Sequence, residues 1–142
     1  MTNEEFVDLL NRHPQPCNVT LGGELVSVDQ EAGRAVATFV ATPEFCHSKT
    51  IVQGGFLCGM VDTVMTQALF AQAGLNIVVP TLEMKVSFLA PGSPGVIRAE
   101  GEVVRCGKST AFLEGSLYGE DGTMLVRAST TARIIPKSPR KK

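Results

Sequence analysis

The run Gly54-Gly55-Phe56-Leu57-Cys58-Gly59-Met60-Val61-Asp62-Thr63-Val64-Met65-Thr66-Gln67-Ala68-Leu69-Phe70-Ala71-Gln72-Ala73-Gly74 decides how this chain folds. It reads as one long helix, apolar nearly all round, with Gly74 as its stop. Such a helix has to be covered on most sides. Asp62 is the only charged side chain between Lys49 and Glu83. A carboxylate in apolar surroundings is costly unless it is hydrogen-bonded or used for chemistry, so Asp62 is the first catalytic candidate. The competing reading is a structural Asp that caps a turn, or an exposed helix residue. Gly59, Asp62, Thr63, Thr66 and Gln67 interrupt the stretch too often for a lipid-exposed span.

The cover for this helix comes from both sides of it in sequence. Leu21–Val28 and Arg34–Val40 are β-rich runs joined by Asp29-Gln30-Glu31-Ala32-Gly33, which reads as a hairpin. A loop with Pro43 and His47-Ser48-Lys49-Thr50 leads into the helix. After it, Thr81–Leu89, Val96–Arg105, Thr110–Tyr118 and Thr123–Ile135 are strand candidates. Pro91–Gly95, Cys106–Ser109 and Glu120–Gly122 separate them. Consecutive hairpins would build an antiparallel sheet. Leu82, Met84, Val86 and Phe88 alternate with Glu83, Lys85 and Ser87, the pattern of a strand with one face to the core and one to water. The expected class is α+β, an antiparallel sheet of about six strands wrapped around a long central helix.

At 142 residues and 44% hydrophobic content the chain is expected to form one domain over residues 1–136. Lys137–Lys142 reads as a basic disordered tail. A net charge of −1 gives no field for nucleic acid. Thr2-Asn3-Glu4-Glu5 ahead of Phe6, Leu9 and Leu10 is a capping box and an apolar helix face, not a signal peptide. The cysteines Cys17, Cys46, Cys58 and Cys106 lack metal-ligand spacing and read as reduced thiols in a cytoplasmic protein. With two histidines and no clustered acids, no catalytic metal is expected.

This order of elements, with Gln53-Gly54-Gly55 opening the helix and Asp62 following after six intervening residues, resembles the PaaI-like hotdog-fold acyl-CoA thioesterases of the phenylacetic-acid-degradation type. The resemblance runs from about Leu21 to Ile135. The family's motif reads Asn-Pro-x-Gly-x-Val-His-Gly-Gly, and the matching run here is His47-Ser48-Lys49-Thr50-Ile51-Val52-Gln53-Gly54-Gly55. Thr81, Phe88-Leu89-Ala90-Pro91-Gly92, Gly107 and Asp121-Gly122 follow at the family's spacings.

The resemblance implies a thioesterase that splits an acyl-CoA into free acid and coenzyme A, with no separate cofactor. Asp62 would be the nucleophile or the general base, with Thr81 positioning water or the carboxylate. The Gly54 amide, at the positive end of the helix, would polarise the thioester carbonyl, and Gly55 would lie beside the substrate. His47 replaces the usual Asn and Gln53 the usual His. Gln53 can still donate to a carbonyl. His47 either bonds substrate or water or is a surface histidine. Gly107, Lys108 and Ser109 form a hairpin turn that in relatives lies near coenzyme A. There Lys108 would attract a phosphate and the turn amides would approach the pantetheine arm. The relatives form dimers or dimers of dimers with shared sites, so Gln53 and Gly54 of one protomer would face Asp62 of the other. Two further readings are a hotdog hydro-lyase using His47 and Asp62, and a non-catalytic acyl-CoA-binding module.

Overall fold

The computed structural model describes residues 1–138 of the 142-residue chain. Helix α1 (Asn3–Arg12) starts as its sequence predicts, with the Glu5 N–H donating to Thr2 Oγ1 and the Thr2 N–H to the Glu5 carboxylate. Its Phe6 is buried, and its Asn11 side chain pairs with the backbone of Leu25, accepting from the N–H at 2.9 Å and donating to the C=O at 2.8 Å. A second, short helix α2 (Pro16–Thr20) was not foreseen. Five residues carry too little periodicity to read, although a proline in the first turn is an ordinary helix start.

Strands β1 (Glu24–Asp29) and β2 (Arg34–Ala41) form the expected hairpin, with Asp29 Oδ1 accepting from the Ala32 N–H in the turn. The segment that reads as a loop is more ordered than expected. A 3-10 turn (Pro43–Phe45) is followed by β3 (Cys46–Ser48) and β4 (Ile51–Val52), which pair with each other. They deliver the chain to α3 (Gly54–Ala73), which ends at Gly74.

β5 (Ile77–Val78) is short; β6 (Thr81–Phe88), β7 (Gly95–Cys106), β8 (Thr110–Tyr118) and β9 (Met124–Arg133) are the four predicted strands. The main sheet has six antiparallel strands in the order β1-β2-β7-β8-β9-β6. One expectation is corrected by this order. β6 and β7 are not a hairpin: β6 pairs with β9, from Thr81 against Ala132 to Phe88 against Val126, and forms one edge of the sheet. Residues 91–95 instead carry the chain from that edge to the middle, held on the way by the Val52 N–H donating to the Gly92 C=O at 2.9 Å. β7 has both its edges filled by β2 and β8, and no edge is left for β6.

α3 lies across β2, β7 and β8. A Cβ on Gly101 of β7 would come within 2.5 Å of the Val64 carbonyl oxygen, so the helix backbone rests directly on the strand only because residue 101 is glycine. Met60, Val61, Val64, Met65, Ala68 and Leu69 from α3 are fully buried with Phe39, Ile97, Leu113 and Leu117 from the sheet. Each large side chain of this set contributes about 1.5–3 kcal/mol of transfer free energy. By length and composition α3 could cross a bilayer; in this fold its inner side is covered by the sheet. Its outward side, with Gly55, Gly59, Asp62, Thr66 and Phe70 at three- and four-residue spacing, carries no charge other than Asp62.

The C-terminal end also departs from expectation. β10 (Ile135–Pro136) pairs with β5, and Lys137, assigned to the tail by composition, is tied down. Its N–H donates to the Asn76 C=O at 3.0 Å and its Nζ to the Leu75 C=O at 2.8 Å. The remainder of the predicted tail, Pro139–Lys142, lies outside the described residues.

Candidate active site

The side chains singled out in sequence gather into two groups along one side of α3. The first is Asp62 with Thr81. Asp62 is half-buried on the helix, and Thr81 Oγ1 at the start of β6 donates to Asp62 Oδ1 at 3.0 Å. The hydrogen bond that a carboxylate in an apolar run requires is supplied by this hydroxyl, and the carboxylate keeps access to solvent. Cys58 lies one turn before Asp62, and burial, reinforced by the Asp62 charge, pushes its thiol above the usual range. Nothing in the residue pattern singles out Cys58 beyond its place on the helix.

The second group is the helix start. Gln53 is the N-cap in extended conformation, with no side-chain cap bond to the helix, and its exposed amide stays beside the first turn. A Cβ on Gly55 would lie 3.6 Å from Gln53 Oε1. The segment before it is braced twice: the Gln53 N–H donates to the Phe45 C=O at 2.8 Å, and the Phe45 and Phe56 rings stack at 4.3 Å between centroids. Exposed His47 lies on β3, which pairs with β4 just before the helix start. A residue of the β6 face that alternation directs inward also belongs to this group. The Phe88 ring, 54% exposed, covers Gly54 so closely that a Cβ there would meet its Cζ at 2.9 Å.

Eight residues of helix separate Gly54 from Asp62, a rise of roughly 12 Å. One chain therefore cannot bring its own Gly54 N–H and its own Asp62 to the same carbonyl group.

Gly107, Lys108 and Ser109 form the exposed β7–β8 turn. The Gly107 N–H is already used within it, donating to the Thr110 C=O at 2.8 Å, so of the turn amides only that of Ser109 keeps the role the resemblance suggests. Ala111, just after the turn, pairs with Ala132, which pairs with Thr81. The turn thus sits at the Asp62–Thr81 end of the sheet, two strand spacings or about 10 Å across. Among the described residues no three His, Cys, Asp or Glu side chains form a cluster fit for a metal ion.

Comparison with known proteins identifies the family and the fold. The sequence profile of the thioesterase superfamily matches residues 50–126, which hold Gln53, Gly54, Asp62, Thr81, Phe88 and the β7–β8 turn. A crystal structure from Ralstonia eutropha JMP134, assigned as a phenylacetic acid degradation-related thioesterase, is 32% identical, covering 90% of this chain and 98% of its own, with a TM-score of 0.79. The PaaI protein of the E. coli phenylacetic acid degradation operon shares the fold at 21% identity, with 96% and 99% of the two chains covered and a TM-score of 0.82. A thioesterase-type protein of Streptococcus pneumoniae TIGR4, solved with coenzyme A, does so at 18% identity over 86% and 94% of the chains, with a TM-score of 0.73.

Proposed function

This chain belongs to the thioesterase superfamily and is a thioester hydrolase of hotdog fold, and from that premise we propose that it hydrolyses an acyl-CoA to a free acid and coenzyme A at a site shared between two copies. The observation that carries the proposal is the Asp62–Thr81 pair on the same side of α3 as an uncapped helix start. Coenzyme A in the Streptococcus pneumoniae structure supports the same class of leaving group.

In this reading the Gly54 N–H of one protomer hydrogen-bonds the thioester carbonyl oxygen, and the partial positive charge of the helix start stabilises the negative charge that develops there. The Gln53 amide orients the thioester. Asp62 of the partner subunit acts on the carbonyl carbon in one of two ways. As nucleophile it forms a mixed anhydride and expels the coenzyme A thiolate, and water then cleaves the anhydride. As general base it takes a proton from water as the water attacks, and the thiolate again leaves. Thr81 holds the carboxylate in one rotamer through its hydroxyl. Lys108 and the Ser109 amide are proposed to meet the phosphate and pantetheine parts of coenzyme A.

Three features support the shared site. The outward side of α3 lacks the Lys and Glu residues that normally solvate a surface helix. β6 is an open edge that presents exposed Leu82 and Phe88. An antiparallel pairing of β6 with its own copy also sets the Thr81 end of one strand against the Phe88 end of the other. That pairing brings Asp62 of one chain to Gly54 of its partner, across the gap neither chain closes alone. A homodimer is the smallest assembly with complete sites, and a dimer of dimers keeps the same pair. The four free thiols fit a reducing compartment, and the cytoplasm is the proposed location.

Thiol release from a panel of short, long and aromatic acyl-CoAs tests the reading. Turnover of at least one, lost in Asp62→Asn, is the expected result; binding without turnover across the panel would favour an acyl-CoA-binding module instead.

A further inference from the structure

We propose that Phe88 determines specificity at this site, its ring forming the wall beside the Gly54 N–H and excluding acyl groups branched at the carbon next to the carbonyl. The inference deepens the acyl-CoA reading above and rests on it. It starts from a contact that the hydrolysis chemistry does not need. Phe88 Cζ and Cε1 lie 2.9 and 3.0 Å from the place a Cβ on Gly54 would take, so the ring fills the space beside the one N–H assigned to the carbonyl oxygen.

A carbonyl oxygen accepting from that N–H sits about 2.9 Å from the nitrogen. The carbonyl carbon and its first substituents then fall within van der Waals reach of whatever borders Gly54. On this side the border is the Phe88 ring. A straight acyl chain carries two hydrogens at its first carbon and can pass along the face of a ring. A methyl branch at that carbon needs the volume the ring occupies, as a Cβ on Gly54 would.

The ring is also placed to act as a wall rather than as filler. Phe88 pairs with buried Val126, and the next two residues are pinned, with the Leu89 and Ala90 N–H groups donating to the Leu125 C=O at 2.8 and 3.4 Å. Its Cα is therefore held at the end of β6, while the residue is 54% exposed in the single chain. A core phenylalanine would have both faces packed, as Phe39 does.

The experiment compares the full-length wild type with Phe88→Ala and Phe88→Leu on butyryl-CoA and isobutyryl-CoA. In parallel it titrates their ketone analogues, in which a methylene replaces the thioester sulfur and prevents hydrolysis. Excluding one methyl group from a shaped pocket is worth about tenfold or more. The wild type should therefore favour the straight chain by at least about that factor, in kcat/KM and in affinity. Phe88→Ala should bring the ratio to within about twofold by gaining on the branched compound, with Phe88→Leu in between. Equal handling of the two compounds by the wild type overturns the proposal. So does a parallel loss on both compounds in the variants, which would mark Phe88 as purely structural. If the wild type turns over no acyl-CoA, the hydrolase reading fails, and the ketone titrations still decide the role of Phe88. Ketones that fail to bind the wild type overturn it too.

Discussion

Thr81 and Asp62 stand nineteen positions apart in sequence and meet at 3.0 Å, hydroxyl to carboxylate, where the edge strand comes alongside the central helix. The contact converts a lone acidic residue on an apolar helix into an oriented one. Asp62→Asn keeps the shape and removes the charge, so kcat should fall by about a hundredfold or more with the melting temperature little changed. Thr81→Ala leaves the carboxylate and frees its rotamer, and should cost less, about tenfold. Steady-state kinetics with thiol detection measures both, and an Asp62→Asn protein with wild-type turnover would falsify the mechanism.

Gly54→Ala tests the helix start. The added methyl group meets only the far end of the Phe88 side chain, at 2.9 Å, and no backbone, so it forces on the ring the same displacement that a branched acyl group would demand and leaves the fold intact. The fold should persist while kcat drops by about tenfold or more, because a displaced ring and an added Cβ crowd the oxyanion position. Thermal unfolding run beside the kinetics separates this outcome from simple destabilisation.

Mixed assemblies test whether the site is shared. Asp62→Asn chains combined with Gln53→Ala chains, each inactive alone, form heterodimers with one intact and one doubly altered site. With random exchange of equal amounts, activity should return to about a quarter of wild type. Subunit exchange confirmed by mass spectrometry, with no recovery, would place both groups of each site in one chain.

Cys58 reports on the Asp62 charge. Burial and then that charge hold its thiol above the usual range, so Asp62→Asn removes the second cause and lowers the thiol's pKa. At a fixed mildly alkaline pH more thiolate is present, and alkylation of Cys58 should be faster in the variant. Peptide mass spectrometry after timed alkylation reads the rate, with exposed Cys17 as the internal reference.

Asn11 bears on stability rather than catalysis. Its amide satisfies both the N–H and the C=O of Leu25, and Asn11→Ala leaves them to water at an edge. Urea unfolding should show a loss of about 1–2 kcal/mol, and the exposed edge should make the variant more prone to aggregate.

The helix from Gly54 to Ala73 was legible because its composition, its glycine stop and its length all point the same way, and the β1–β2 turn because Asp29 and Gly33 carry their own geometry. The partners of β6 were not. Pro91 and Gly92 say that the chain leaves the strand, but nothing local says that it passes the nearest edge and crosses to β2. Within the site, Asp62 stood out as a charge in an apolar run, whereas its bond to Thr81 depends on the tertiary position of β6. The place of Phe88 was not legible for a related reason. Alternation with Glu83, Lys85 and Ser87 identifies the face it points to, and that face extends past the core to the helix start. Lys137 looked like tail because charge next to proline signals disorder, while the β5–β10 pairing that anchors it involves strands of only two residues each.

The Asn11 clasp has a further consequence for how far association can go. The sheet has two ends, and α1 seals one of them by giving the Leu25 backbone its hydrogen bonds from a side chain. That leaves each chain with a valence of one for strand addition. In the dimer proposed above, the single bonding row of each β6 would be consumed by the other, and the combined sheet would end on both sides in an α1 clasp. Growth by strand addition would then stop at two, so the edge chemistry that would complete the site would also keep the protein from polymerising into a filament.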